Sequence, residues 1–135
     1  MNTVIKSIET DFAHINLLKD KIGHVHFKAN TELNKTIQHQ LLKSYKELTD
    51  SPIPFIYSSE EFLSSTKDAP QFAKSIEKLS PINMKVIIVQ NLAQRIVANF
   101  YYKTHKPLNP YKVFTSFDAG VKWINENRNK IEPSV

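Results

Sequence analysis

Cysteine is absent from this chain of 135 residues. Its absence excludes disulfides, thiolate nucleophiles, Cys-ligated zinc and iron–sulfur clusters together. Glycine occurs only at Gly23 and Gly120, too far apart to build a Gly-rich phosphate cradle. Arginine is scarce as well: of 18 lysines and arginines, only Arg95 and Arg128 are arginine. A nucleic-acid reader relies on the planar guanidinium fork for phosphates and guanine edges. The lysines are scattered from Lys6 to Lys130, so the net charge of +5 reads as a mildly basic soluble surface and argues against a nucleic-acid partner. Long hydrophobic runs are missing. The strongest, Val86-Ile87-Ile88-Val89, is far too short to cross a bilayer. The opening MNTVIKSIETDF lacks the apolar core of a secretory signal. The expectation is a cytoplasmic protein with no membrane insertion.

At about 150 residues per domain, the length predicts a single domain, 1–135, with an ordered core over about 3–128. Ala13, Ile15 and Leu17 alternate with polar neighbours, as do Val25 and Phe27 with His24, His26 and Lys28. Two such runs around Lys19-Asp20-Lys21 predict an antiparallel hairpin. If the apolar odd positions share one face, paired residues must sum to an even number, for instance His14 opposite His26. Residues 3–9 carry only a weak strand pattern.

The period then changes. Leu33, Ile37, Leu41, Tyr45 and Leu48 recur every three or four residues, with Lys35, Gln38, Lys43 and Lys46 between them. That predicts an amphipathic helix over 31–49, capped by Asn30 or Thr31 and stopped at Pro52. A short strand over 54–57, a serine-rich loop and a second helix with Pro70 in its first turn follow. Met84 to Gln90 reads as a central strand buried on both sides. Asn91 caps a third helix bearing Leu92, Ile96, Val97 and Phe100. A strand over 111–115 and a final helix capped by Ser116, with Phe117, Val121, Ile124 and Trp123 inward, complete the chain. Repeated strand–helix alternation predicts an α/β fold: a largely parallel sheet, an N-terminal antiparallel hairpin and four helices.

Residues 91–123, NLAQRIVANFYYKTHKPLNPYKVFTSFDAGVKW, carry a resemblance. Asn91, Arg95, Asn99-Phe100, Lys106-Pro107, Pro110, Lys112 before Phe114-Thr115, and Trp123 match small bacterial proteins of SpoIIAA-like, STAS-type fold. Pro54 to Ala69 looks similar to the same group, and the resemblance covers most of residues 12–127. It implies a right-handed β/α superhelix and a non-enzymatic regulatory or protein-interaction module. Members with assigned roles dock on a partner kinase and are switched by phosphorylation of a Ser or Thr where a helix begins. Ser64, Ser65 and Thr66 stand in the matching segment. The glycine that follows the acceptor in those members is missing here, and Asp68 follows the hydroxyls instead of preceding them.

Four groups of residues are candidates. Ser64, Ser65 and Thr66 are phosphoacceptors on one reading and simple helix caps, with Asp68 in the first turn, on the other. His14, His24 and His26 share one strand face, where three imidazoles could hold zinc or nickel if carboxylates oriented them. Ser58, Ser59, Asn91 and Ser116 arrive at the carboxyl ends of strands, where parallel sheets bind ligands. Arg95, Asn99, Tyr102 and Lys106 mix cations with an aromatic ring and suit a protein partner or self-association. No nucleophile–base spacing is evident, so neither an enzyme nor a cofactor is expected. A hydrolase built on the serine-rich loop would need a His or acid beside Ser58, Ser59 or Ser65. The alternative to a protein-interaction module is a small-molecule or lipid carrier with a pocket between sheet and helices, opening near Phe62 and Leu63.

Overall fold

Alternating side chains build the first third of the molecule. Strands β1 (Val4–Glu9), β2 (Ala13–Leu18) and β3 (Ile22–Phe27) pair antiparallel, with His14 opposite His26 and Ile15 opposite Val25 as the parity requires. In the turn, Lys21 adopts a left-handed backbone (φ 60°) and its N–H donates to the Leu18 carbonyl at 3.0 Å. β1 is an edge strand whose side chains are nearly all exposed, which explains its faint pattern in the sequence. The computed structural model describes residues 3–61 and 63–131, Lys130 and Ile131 by their backbone alone.

After β3 the chain turns parallel. The remaining elements are β4 (Glu32–Leu33), α1 (Lys35–Leu48), β5 (Ile53–Ser59), β6 (Ser64–Ser65), α2 (Ala69–Glu77), β7 (Ile82–Ile88), α3 (Leu92–Thr104), β8 (Tyr111–Phe114) and α4 (Phe117–Ile131). The six-stranded sheet runs β1-β2-β3-β5-β7-β8, with its last three pairings parallel. The α/β class, the hairpin and the four helices are therefore as the periodicity predicts. The start of α1 is not. Asn34 caps it, its side-chain oxygen accepting from the Ile37 N–H at 2.9 Å. The expected caps are unavailable because Asn30 is left-handed (φ 62°) and residues 32–33 are extended, bridged in parallel to Ser64–Ser65.

The two faces of the sheet are covered differently. On one, α4 lies along β7, β8 and β5, and Ile124 seals a cluster of Leu18, Ile22, Ile56, Met84 and Val86. Phe117, Val121 and Trp123 pack against that cluster, as expected. Gly120 makes the close approach: a Cβ there would stand 2.6 Å from Val86 Cγ1. On the other face, α1 packs through Leu41, Tyr45 and Leu48 onto Ile15, Val25, Phe27 and Phe55. Helix α2 packs chiefly against α1, and α3 against β8. Neither is laid flat on the central strands, and a space remains beneath them.

Candidate functional site

That space is a cavity of about 280 Å³. Its apolar wall is made by Phe27 and Ile87 from the sheet, Leu41 from α1, Ile76 from α2 and Val97 from α3, with Leu63 at the loop where an opening was expected. Phe62 lies outside the described residues. Ser58 and Ser59 also border the cavity, at the carboxyl end of β5.

Polar groups are set into this apolar wall at a few points. Gln38 is turned inward from α1 and buried, although the helical pattern places it among the polar residues between the apolar ones. One and two turns further are Leu41 and Tyr45, so Gln38 belongs to the inward face. Glu77 ends α2 and is buried as well. Its Oε1 accepts from Lys85 Nζ at 3.2 Å, and its Oε2 from the Asn109 backbone N–H at 2.7 Å. Two charge-assisted bonds to one carboxylate offset its desolvation. Lys85 interrupts the apolar run of β7 because it faces this cavity while Met84 and Val86 face α4. Tyr45, Tyr57 and Tyr102 complete the lining. Burial pushes all three phenols well above their ordinary pKa; for Tyr57 the neighbouring Tyr45, Tyr102 and Glu77 add to it. The three therefore stay protonated. With Glu77 paired to Lys85, the buried part of the lining carries hydroxyls and an amide but no net charge, and Lys74 borders the cavity as an exposed cation.

The histidines occupy the opposite side of the sheet. His24 Nε2 and His26 Nδ1 each lie 2.8 Å from Ser58 Oγ, and His24 packs on Phe117 at 4.9 Å between ring centroids. One hydroxyl between two rings donates to one and accepts from the other. Burial, then the adjacent His26, lowers the pKa of His24 to about 4, so it is neutral at pH 7. His14 stacks on His26 at 6.5 Å, and its Nδ1 meets Glu9. Lys28, at 2.7 Å, and then His14 hold the Glu9 carboxyl below its usual pKa. The His is thus beside Ser58, as a serine hydrolase would require. Among the described residues no carboxylate is hydrogen-bonded to His24 or His26, and the Ser58 hydroxyl lies between both rings. Among the described residues, no three His, Asp or Glu side chains lie close enough together to hold a metal ion.

The other candidates are scattered. Ser64 and Ser65 are exposed in β6. Neither Ser65 nor Thr66 caps α2: Thr66 Oγ1 donates to Asp68 Oδ1 at 2.7 Å, and Asp68 precedes the helix without a side-chain cap bond. That hydrogen bond, with Lys35 nearby, holds the Asp68 carboxyl below its usual pKa. Pro70 stands in the first turn of α2, as expected. Asn91 and Ser116 do cap their helices, accepting from Gln94 N–H at 2.9 Å and Ala119 N–H at 3.3 Å. The strand-end residues are therefore satisfied locally and do not converge. Of the proposed partner patch, Asn99 and Lys106 are exposed and Arg95 half-buried, while Tyr102 turns into the cavity and packs on Tyr111 at 5.2 Å. The apolar residues that mark the third helix in the sequence face outward: Leu92, Ile96 and Phe100 are 66%, 63% and 73% exposed. The inner side is taken by Ala98 and Tyr102.

The signals that could have pointed to the cavity are the spacing of Gln38, three residues before Leu41 and seven before Tyr45, and a lysine within an apolar strand. No described helix is long and apolar enough to cross a membrane. No curated protein and no solved structure matches the chain. A family model described as a domain of unknown function, DUF7793, matches residues 16–128, and the chain belongs to that family.

Proposed function

We propose that this chain is a non-enzymatic binding module whose ligand is a small, largely apolar molecule held between the sheet and α1, α2 and α3. The cavity carries the reading: an apolar space of about 280 Å³ with a few fixed polar groups is the usual form of a small-molecule site. The strand–helix alternation on a parallel sheet supports assigning the fold to the SpoIIAA-like, STAS-type group, and a bacterial, cytoplasmic setting goes with that assignment. Titration with N-phenyl-1-naphthylamine, neutral and fluorescent when sheltered from water, tests the reading. Saturable binding at one site, lost in Ala98→Trp, is expected. A wild-type protein that gives no saturable signal overturns it.

A second reading, a protein-docking module, is favoured by the outer stripe of α3. Leu92, Ile96 and Phe100 lie four residues apart on one exposed face, a spacing that suits packing against another helix or a second copy. Sedimentation of wild type and Phe100→Asp over a concentration series separates self-association from a monomer. Phosphorylation at Ser64, Ser65 or Thr66 would act on the same module, since the two serines are exposed beside the cavity loop and Thr66 is half-buried next to them; a mimetic Asp at Ser65 that leaves probe binding unchanged removes that role.

A further inference from the structure

Gln38, which lines the cavity, carries one buried polar atom with no partner among the described residues. Gln38 is only 5% exposed. Its Nε2 donates to the backbone carbonyl of Ala69, at the start of α2, at 3.0 Å. That bond fixes which end of the amide is which, because a carbonyl can only accept. Oε1 is thereby left as a buried acceptor with no hydrogen-bond partner among the described residues. Buried acceptors are ordinarily paired, and an unpaired one calls for a missing donor. Gln38 lines the cavity, so the donor can come from whatever fills it.

The rest of the lining restricts what that molecule is. Leu41, Ile76, Ile87 and Val97 ask for an apolar body. The Glu77–Lys85 pair is internally compensated, the three phenols are neutral and the further lining cation, Lys74, is exposed, so a charged ligand would find no counter-charge among the buried groups of the lining. Resting on the cavity reading above, we propose that the cavity takes a neutral, largely apolar molecule bearing an N–H or O–H donor, and that Gln38 Oε1 is the acceptor that selects it.

Indole and indene test this, being alike in shape and differing by an N–H in place of a methylene. Indole is expected to bind wild type about tenfold more tightly, as one hydrogen bond to an otherwise unpaired buried acceptor would give. In Gln38→Met the ratio should fall to about one while both probes still bind. In wild type, the Gln38 carboxamide NMR signals should move with indole and stay with indene, a readout that does not depend on the variant folding. Equal binding of the two probes, or a ratio unchanged in Gln38→Met, overturns the role of Gln38 and leaves the cavity reading standing. If neither probe binds, the cavity reading itself fails.

Discussion

One sheet presents two unlike faces. Along β7, Met84 and Val86 point to α4 and are sealed, while Lys85 and Ile87 point to the cavity. The α4 face is closed by a large residue, Ile124, and a helix brought near by Gly120. On the other face α2 and α3 contribute the small side chains of Ala69, Ala73 and Ala98, and they are joined by Gln38 of α1 and Glu77 of α2, which have no place in a dry core. The difference teaches a division of labour. The closed face supplies stability, and the open one gives some of it up to keep a space with polar fixtures. Ile124→Ala should therefore destabilise by about 2–5 kcal/mol, as for fully buried large-to-small changes. Ile87→Ala, beside a space that already exists, should cost about 1–2 kcal/mol, since fewer contacts are there to lose. Urea midpoints at constant slope measure both, and equal losses would erase the contrast.

The closed face also holds the one strongly shifted histidine. His24 prefers to be neutral in the folded protein, with its pKa lowered to about 4 from an ordinary 6.5 by burial and by His26. The unfolded chain therefore takes up this proton first as pH falls. The stability that His24 contributes is intact above about pH 6.5 and is lost as the pH drops towards 4, by about 2–3 kcal/mol allowing for its partial contact with water. His24→Gln keeps a polar partner for Ser58 and should flatten the urea midpoint between pH 6.5 and 4. An unchanged slope would assign the acid sensitivity to other groups.

Gly120→Ala probes the closeness of α4 directly. The added Cβ would meet Val86 Cγ1 at 2.6 Å and Ile88 Cδ1 at 3.3 Å, so the helix must lift or the valine must rotate. A loss of about 1–3 kcal/mol is expected, the range for overpacking, despite the better helix propensity of alanine. A neutral or stabilising result by thermal unfolding would show that α4 sits less tightly than Ile124 implies.

The sequence announced the closed face and hid the open one, for a physical reason. Period-two and period-3.6 patterns report which residues leave water, so β2, β3, α4 and the β–α alternation were legible, down to the pairing of His14 with His26. The cavity depends on how far α2 and α3 stand from the strands, a tertiary distance that no local period encodes. Its polar residues accordingly carry no period of their own: Gln38 reads as one of the polar residues between the apolar ones of α1, Lys85 breaks an apolar strand and Glu77 ends a helix. The apolar stripe of α3 shows the converse. Leu92, Ile96 and Phe100 have helical spacing, yet periodicity cannot say whether such a stripe faces the protein's own core or something outside it. The cap of α1 moved to Asn34 because the bridge between Glu32–Leu33 and Ser64–Ser65 joins segments far apart in sequence.

The smallest expected effect has the opposite sign and bears on both faces. Ala73 lines the cavity from α2, half-buried. A leucine there would extend into existing space instead of displacing packed neighbours, so Ala73→Leu should stabilise the free protein by about 0.5–2 kcal/mol, the usual return from filling a cavity. The same side chain would occupy the room a ligand needs. A neutral apolar probe should raise the melting temperature of wild type with the logarithm of its concentration above Kd, by mass action on the folded state, and should leave Ala73→Leu unmoved. Stabilisation with binding lost would mark the open face as space kept for a ligand at the expense of packing. Destabilisation would mean that α2 already lies as close to the sheet as its side chains permit, and the contrast between the two faces would collapse.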